Sequence, residues 1–198
     1  MDDAQVLLND VRQMNKEALA KVFDLYASAI YKYAFRHCGN AIIADQIVGD
    51  VFSKLLEQLS QGNGPKSNIR SYLFEIAHHL IVDEVRHYHR TISIVKVELS
   101  LPDVKYTHLA IEDEMLMDII LRAIENELTE NQRHVIILRF MEDFSLKETA
   151  QIMGKTVTNI KVTQNRAVAA IRKALEFQQV NQEFVEPSSI SMRPVRME

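Results

Sequence analysis

Ser145-Leu-Lys-Glu-Thr-Ala-Gln-Ile-Met-Gly154, followed directly by Lys155-Thr-Val-Thr-Asn-Ile-Lys-Val-Thr-Gln-Asn-Arg-Ala167, reads as two short helices joined by a tight turn. Ser145 and Glu148 have the capping-box spacing, in which the hydroxyl accepts from an otherwise unpaired amide and the carboxylate reaches back. Thr156 can cap the helix after the turn. Ala150 is small where the two helices would cross, Gly154 can take up the left-handed turn, and Ile160 would pack the second helix down. Together these features make a helix-turn-helix.

Such a pair is stable only against a third helix. Leu128-Thr-Glu-Asn-Gln-Arg-His-Val-Ile-Ile-Leu-Arg-Phe140 supplies one, with the capping-box spacing repeated at Thr129 and Gln132 and an apolar set at Val135, Ile136, Leu138 and Phe140. A plain helical hairpin would share the glycine turn but would have no reason to be basic. Between Phe144 and Leu175 there are six basic residues (Lys147, Lys155, Lys161, Arg166, Arg172, Lys173) and one acid, Glu148. The helix from Val157 would present Lys161, Val162, Asn165 and Arg166 outward. Lys and Arg suit phosphates and guanine edges, Asn suits adenine, and Val suits a thymine methyl.

Upstream, a helical period runs from Ala4 to about Ser60. Val6, Leu7, Val11 and Met14, then Leu19, Val22, Phe23, Tyr26, Ile30, Tyr31 and Ala34, recur at steps of three and four. Gly39-Asn40 punctuates the run, and Ile43, Ile47, Val51, Leu55 and Leu59 follow along one stripe. Ser60 to Asn68 is a loop by its Gly, Pro, Ser and Asn content. Ile69 to about His89 is helical again, with Leu73, Ile76, Ala77, Leu80, Ile81 and Val85 inward. Thr91 to Ala110 loses the period and reads as a linker, and helix resumes near Ile111. From Val97 to Glu130 there are nine acids and two bases. Beyond Glu176, Phe177, Val180 and Phe184 can prolong the last helix until Pro187, and the rest reads as a tail.

The bulk composition agrees with helices. Of 198 residues 47% are apolar and 25% charged, with five glycines, four prolines and no tryptophan. The net charge of −4 does not mark a general nucleic-acid binder, so any DNA affinity comes from the distribution of charge. A single cysteine, Cys38, excludes an intrachain disulfide and fits a reducing compartment; it is expected as a half-buried small residue. The acidic start lacks the layout of a signal peptide, and no apolar run approaches the roughly 20 residues that span a bilayer. A cytoplasmic protein without membrane insertion is expected.

The three C-terminal segments quoted above closely resemble region 4 of the sigma-70 family. Ala44-Asp-Gln-Ile-Val-Gly-Asp-Val-Phe52 resembles region 2.2, and Ile69-Arg-Ser-Tyr-Leu-Phe-Glu-Ile-Ala-His-His-Leu-Ile-Val-Asp-Glu-Val-Arg86 resembles the segment that opens and reads the −10 element. The likeness covers roughly residues 5–92 and 112–175, without counterparts of regions 1.1 and 3, which is the layout of the small extracytoplasmic-function class. The resemblance implies an all-α protein: region 2 over 1–92, a linker over 93–111, region 4 over 112–177 and a tail over 178–198. It implies a factor that binds core RNA polymerase and directs promoter-specific initiation. Thr158, Lys161, Val162, Asn165 and Arg166 would then read the −35 element. Asn63, Ser67, Asn68, His78, His79, Asp83 and Arg86 would meet the −10 element, the loop forming a pocket for a flipped-out base. His79 stands where the family commonly carries Asn and His78 where Arg is common. Asp45, Gln46, Val48, Asp50 and Phe52 would dock on the polymerase, with Ile47, Val51 and Leu55 buried behind them. Core polymerase, promoter DNA and an anti-sigma protein are the implied partners.

The rival reading is a stand-alone helix-turn-helix regulator, whose mark would be a self-complementary dimer stripe; no such helix is evident. An enzyme is not expected, because no nucleophile elbow, phosphate-cradling glycine loop or placed carboxylate pair is present. No cofactor is expected. His79, Asp83 and His87 share a helix face at a spacing that a metal could use, but a polar face of this kind is ordinarily solvated, and no metal is assigned.

Overall fold

The computed structural model describes residues 3–94 and 120–183, with side chains described through His87 and from Ile120 to Glu176. Every regular element among the described residues is helical: α1 (Asp3–Arg12), α2 (Lys16–Cys38), α3 (Ala41–Ser60), α4 (Ile69–Ile94), α5 (residues 120–127), α6 (Glu130–Ile136), α7 (Leu146–Ile152) and α8 (Val157–Glu183). The all-α expectation holds. The linker, the start of the helix near Ile111 and the tail beyond Glu183 lie outside the described residues.

The helical run up to Gly39 is two helices, which with α3 and α4 make the four helices expected of the N-terminal part. Met14 adopts a left-handed φ of 56°, and Asn15 caps α2, its side chain accepting from the Ala18 amide at 2.9 Å. No glycine or proline announces this break, so apolar periodicity runs through it. The Gly39-Asn40 break falls where expected. Gly39, at φ 62°, ends α2 by donating to the Phe35 carbonyl at 2.9 Å, and Asn40 accepts from the amides of Ile42 and Ile43 to start α3.

Contacts divide the chain into two units. The first gathers α1–α4 with residues 137–162. In its core lie Leu8, Val11, Val22, Ile30, Tyr33, Val51, Leu55, Leu73, Phe74 and Ile81, all almost wholly buried. The expected α3 stripe is present as Ala44, Ile47, Val51, Leu55 and Leu59, with Ile43 half-buried. At roughly 2 kcal/mol for each large aliphatic or aromatic side chain removed from water, this core is what makes the short helices stable.

Within the same unit a π-helical stretch, Ile137–Met141, leads into a turn, with Glu142 and Phe144 donating to the carbonyls of Ile137 and Leu138. That turn is buried on α2 and α4. The Glu142 carboxylate, 7% exposed, pairs with Arg36 at 3.2 Å and Arg70 at 3.5 Å, and Arg70 also donates to the Glu142 carbonyl at 2.6 Å. Phe144 meets Phe74 edge-on at 4.9 Å, with the Arg70 guanidinium 4.2 Å from its ring centre. Burial pushes the Glu142 carboxyl up, against the pull of Arg36 and Arg70.

The second unit gathers residues 120–136 and 163–183. Ala123, Ile124, Leu128, Val135 and Ala167 are buried in it. Arg133 donates to the Glu125 carbonyl at 2.9 Å, and the Gln132 side chain accepts from both the amide and the hydroxyl of Thr129, fixing the start of α6.

Candidate nucleic-acid and polymerase interfaces

The helix-turn-helix forms as its caps predict. Ser145 and Glu148 close a full capping box: the Ser145 hydroxyl accepts from the Glu148 amide at 3.2 Å and the Glu148 carboxylate accepts from the Ser145 amide at 2.9 Å. This pairing lowers the Glu148 carboxyl below the usual range. Gly154 turns at φ 59°, Lys155 donates to the Ala150 carbonyl, and the Thr156 hydroxyl accepts from Asn159 to start α8. Ala150, Ile152 and Ile160 are buried. All five residues expected to read a −35 element (Thr158, Lys161, Val162, Asn165 and Arg166) are exposed on α8, at spacings that put them on one helical face.

The −10 set is only partly a surface. Asn63, Ser67, Asn68, His79, Asp83 and Arg86 are exposed, and Asp83 pairs with Arg86 at 3.7 Å. Asn68 is also the cap of α4, its side-chain oxygen accepting from the Ser71 amide at 3.1 Å, while its amide donates to Glu148 at 3.3 Å. His78 corrects the expectation for this set. It is 6% exposed and lies 3.3 Å from the Tyr33 hydroxyl, so its side chain does not face outward. Burial first, then repulsion from His79 and Lys155, lowers its pKa to about 4; the imidazole is therefore neutral. Periodicity alone could have placed it, since His78 lies four residues after Phe74 and three before Ile81, both buried. His79, Asp83 and His87 do not bring their ligand atoms together among the described residues.

The loop before α4 bounds an open cavity of about 520 Å³, whose lining includes Arg12, Gly62, Asn63, Gly64, Lys66 and Tyr72. Asp45, Gln46 and Asp50 stand exposed on α3, with Val48 and Phe52 half-buried beside them and Ile47, Val51 and Leu55 buried behind. Phe52 packs on Phe23 of α2 at 4.8 Å; Phe23 is 47% and Leu56 43% exposed. An exposed Phe23 resting on a half-buried Phe52 beside an acidic edge suits a protein partner. In the sequence Phe23 falls within the apolar period of α2 and Leu56 follows the buried Leu55, so neither announces its exposure. Cys38 is half-buried, as expected.

Comparison with known proteins gives these surfaces a context. Residues 22–91 match the family model for sigma-70 region 2 and residues 126–173 that for sigma-70 region 4. The ECF RNA polymerase sigma factor EcfG of Rhodopseudomonas palustris is 30% identical over 140 residues, covering 68% of this chain and 72% of that protein. The chain belongs to the extracytoplasmic-function sigma factor family. The ECF sigma factor BldN of Streptomyces coelicolor is 24% identical over 163 residues; the match takes in 80% of this chain but 61% of that longer relative. The fold resembles that of the sigma factor RpoE solved with the anti-sigma factor NepR from Bartonella quintana, with a TM-score of 0.63 at 22% identity, over 79% of this chain and 96% of that one. The family consists of sigma factors and not of enzymes. Region 2 thus corresponds to α2–α4, and the region 4 match ends within α8. Among the described residues no helix is long and apolar enough to cross a membrane.

Proposed function

We infer that this chain is the promoter-selecting subunit of an RNA polymerase holoenzyme. The observation that carries the reading is a formed helix-turn-helix with an exposed Thr158–Lys161–Val162–Asn165–Arg166 face in a chain that also carries region 2. In this reading α8 reads the −35 element, and α4 with the loop before it meets the −10 element through Asn63, Ser67, Asn68, His79, Asp83 and Arg86. The Asp45–Gln46–Asp50 edge with Val48, Phe52, Phe23 and Leu56 docks on the core enzyme. Division at 1–92, 93–111, 112–177 and 178–198 separates region 2, linker, region 4 and tail. The protein works in the cytoplasm, catalyses no reaction itself and is held in check by an anti-sigma protein.

Two weak DNA contacts become one strong contact when the polymerase fixes their separation. The free protein therefore binds promoter DNA poorly. A pull-down with bacterial core RNA polymerase, followed by run-off transcription from genomic fragments, tests the reading. Stable core binding and new start sites are expected. Specific nanomolar binding to duplex DNA without polymerase would overturn it in favour of a stand-alone regulator.

A further inference from the structure

We propose that Arg12, at the end of α1, is a positioning residue that holds the loop before α4 in the shape that reads a base. Its guanidinium reaches more than fifty residues along the chain, and Nε donates to the Pro65 carbonyl at 2.9 Å while Nη2 donates to the next carbonyl, Lys66, at 2.8 Å. A planar fork gripping two consecutive carbonyls fixes the direction of the backbone as well as its position.

The loop has little else to hold it. Gly62 and Asn63 are tied back to the end of α3 by bonds to the Leu59 and Gln58 carbonyls, and Asn68 is tied forward by capping α4. Between these anchors, residues 64–67 take part in no hydrogen bond among the described residues except the two from Arg12. Pro65 has no amide to contribute. Gly64 approaches Leu59 so closely that an added Cβ would lie 2.8 Å from its Cδ2, so the loop is seated against α3 on one side and clamped by Arg12 on the other. The cavity of about 520 Å³ lies between these walls, with Arg12, Asn63, Lys66 and Tyr72 among its lining. That volume falls within the range of sites for small ligands and accommodates one extruded base. Unclamped, residues 64–67 would have to be ordered each time a base enters, and the conformational entropy lost in doing so weakens the discrimination.

The inference rests on the proposed reading of the loop, and the test separates the two. Holoenzyme made with wild-type, R12A, R12K or N63A protein is titrated with single-stranded −10 oligonucleotides from the promoter found by run-off, each position carrying all four bases in turn. Wild type should prefer one base at the position that enters the cavity. N63A should flatten that preference, and R12A should flatten it by about tenfold while leaving core binding and discrimination at the other positions within twofold. R12K, which keeps the charge but not the fork, should stay close to R12A, and it carries the test if R12A does not fold. Unchanged discrimination in R12A alongside a flattened N63A, or full recovery in R12K, would overturn the role of Arg12. A cavity position at which neither wild type nor N63A shows any base preference would overturn the reading of the loop itself.

Discussion

A buried imidazole makes His78 a pH-sensitive weak point. The unfolded chain binds a proton at this residue near pH 6.5, whereas the folded one resists until about pH 4, because the charged ring would be desolvated beside His79 and Lys155. A lowered folded pKa means that the stability is complete above the unfolded value and is lost as pH falls towards the folded one. The loss approaches about 3 kcal/mol by pH 4. Thermal unfolding followed from pH 7 to pH 4 should show a steeper decline for wild type than for His78→Gln. Superimposable curves would contradict the assignment. On α8 the expectation differs by residue type. Asn165→Ala should relax base preference at one −35 position by about 1–3 kcal/mol, while Lys161→Ala should weaken holoenzyme binding to all promoters alike and reduce its salt dependence. Filter binding to promoter variants at two salt concentrations distinguishes these. The outward-facing residues of α8 were legible because caps and spacing settle which face a helix exposes. His78 was misplaced because resemblance to a DNA-reading segment outweighed its position between Phe74 and Ile81.

Helix boundaries here are set by local backbone chemistry more than by apolar pattern. Gly154 stands at φ 59° with nothing within 4 Å of where a Cβ would lie. Gly154→Ala therefore costs backbone strain alone, about 1 kcal/mol, and urea unfolding should show a lowered midpoint with an unchanged slope. Asn40 accepts from two amides at once, so Asn40→Ala should cost a similar amount. The three C-terminal caps and the Gly39-Asn40 break were readable because their signals are local. The break at Met14 was not, since a methionine in the left-handed region carries no sequence signature, although the Asn15 cap immediately after it does.

Across the first unit, the turn before α7 is joined to α2 and α4 through Glu142 and Phe144. Glu142→Ala would leave Arg36 and Arg70 without the counter-charge they share. Because those arginines are 21% and 32% exposed, water screens part of the penalty, and about 1–2 kcal/mol is expected. Hydrogen exchange should then speed up by roughly tenfold across α7, with α1 and the first half of α2 unchanged. At this scale the sequence by itself determined the helical class, the helix-turn-helix, its outward face and the polar edge of α3, since each follows from spacing, caps and charge within one element. Only the tertiary structure decided that Glu142 is clamped by two arginines, that Phe23 sits on Phe52, that His78 lies against Tyr33 and that Arg12 grips the loop. Those pairs lie between 29 and 106 residues apart, and no local pattern specifies which of the many possible distant partners a side chain meets once the helices pack.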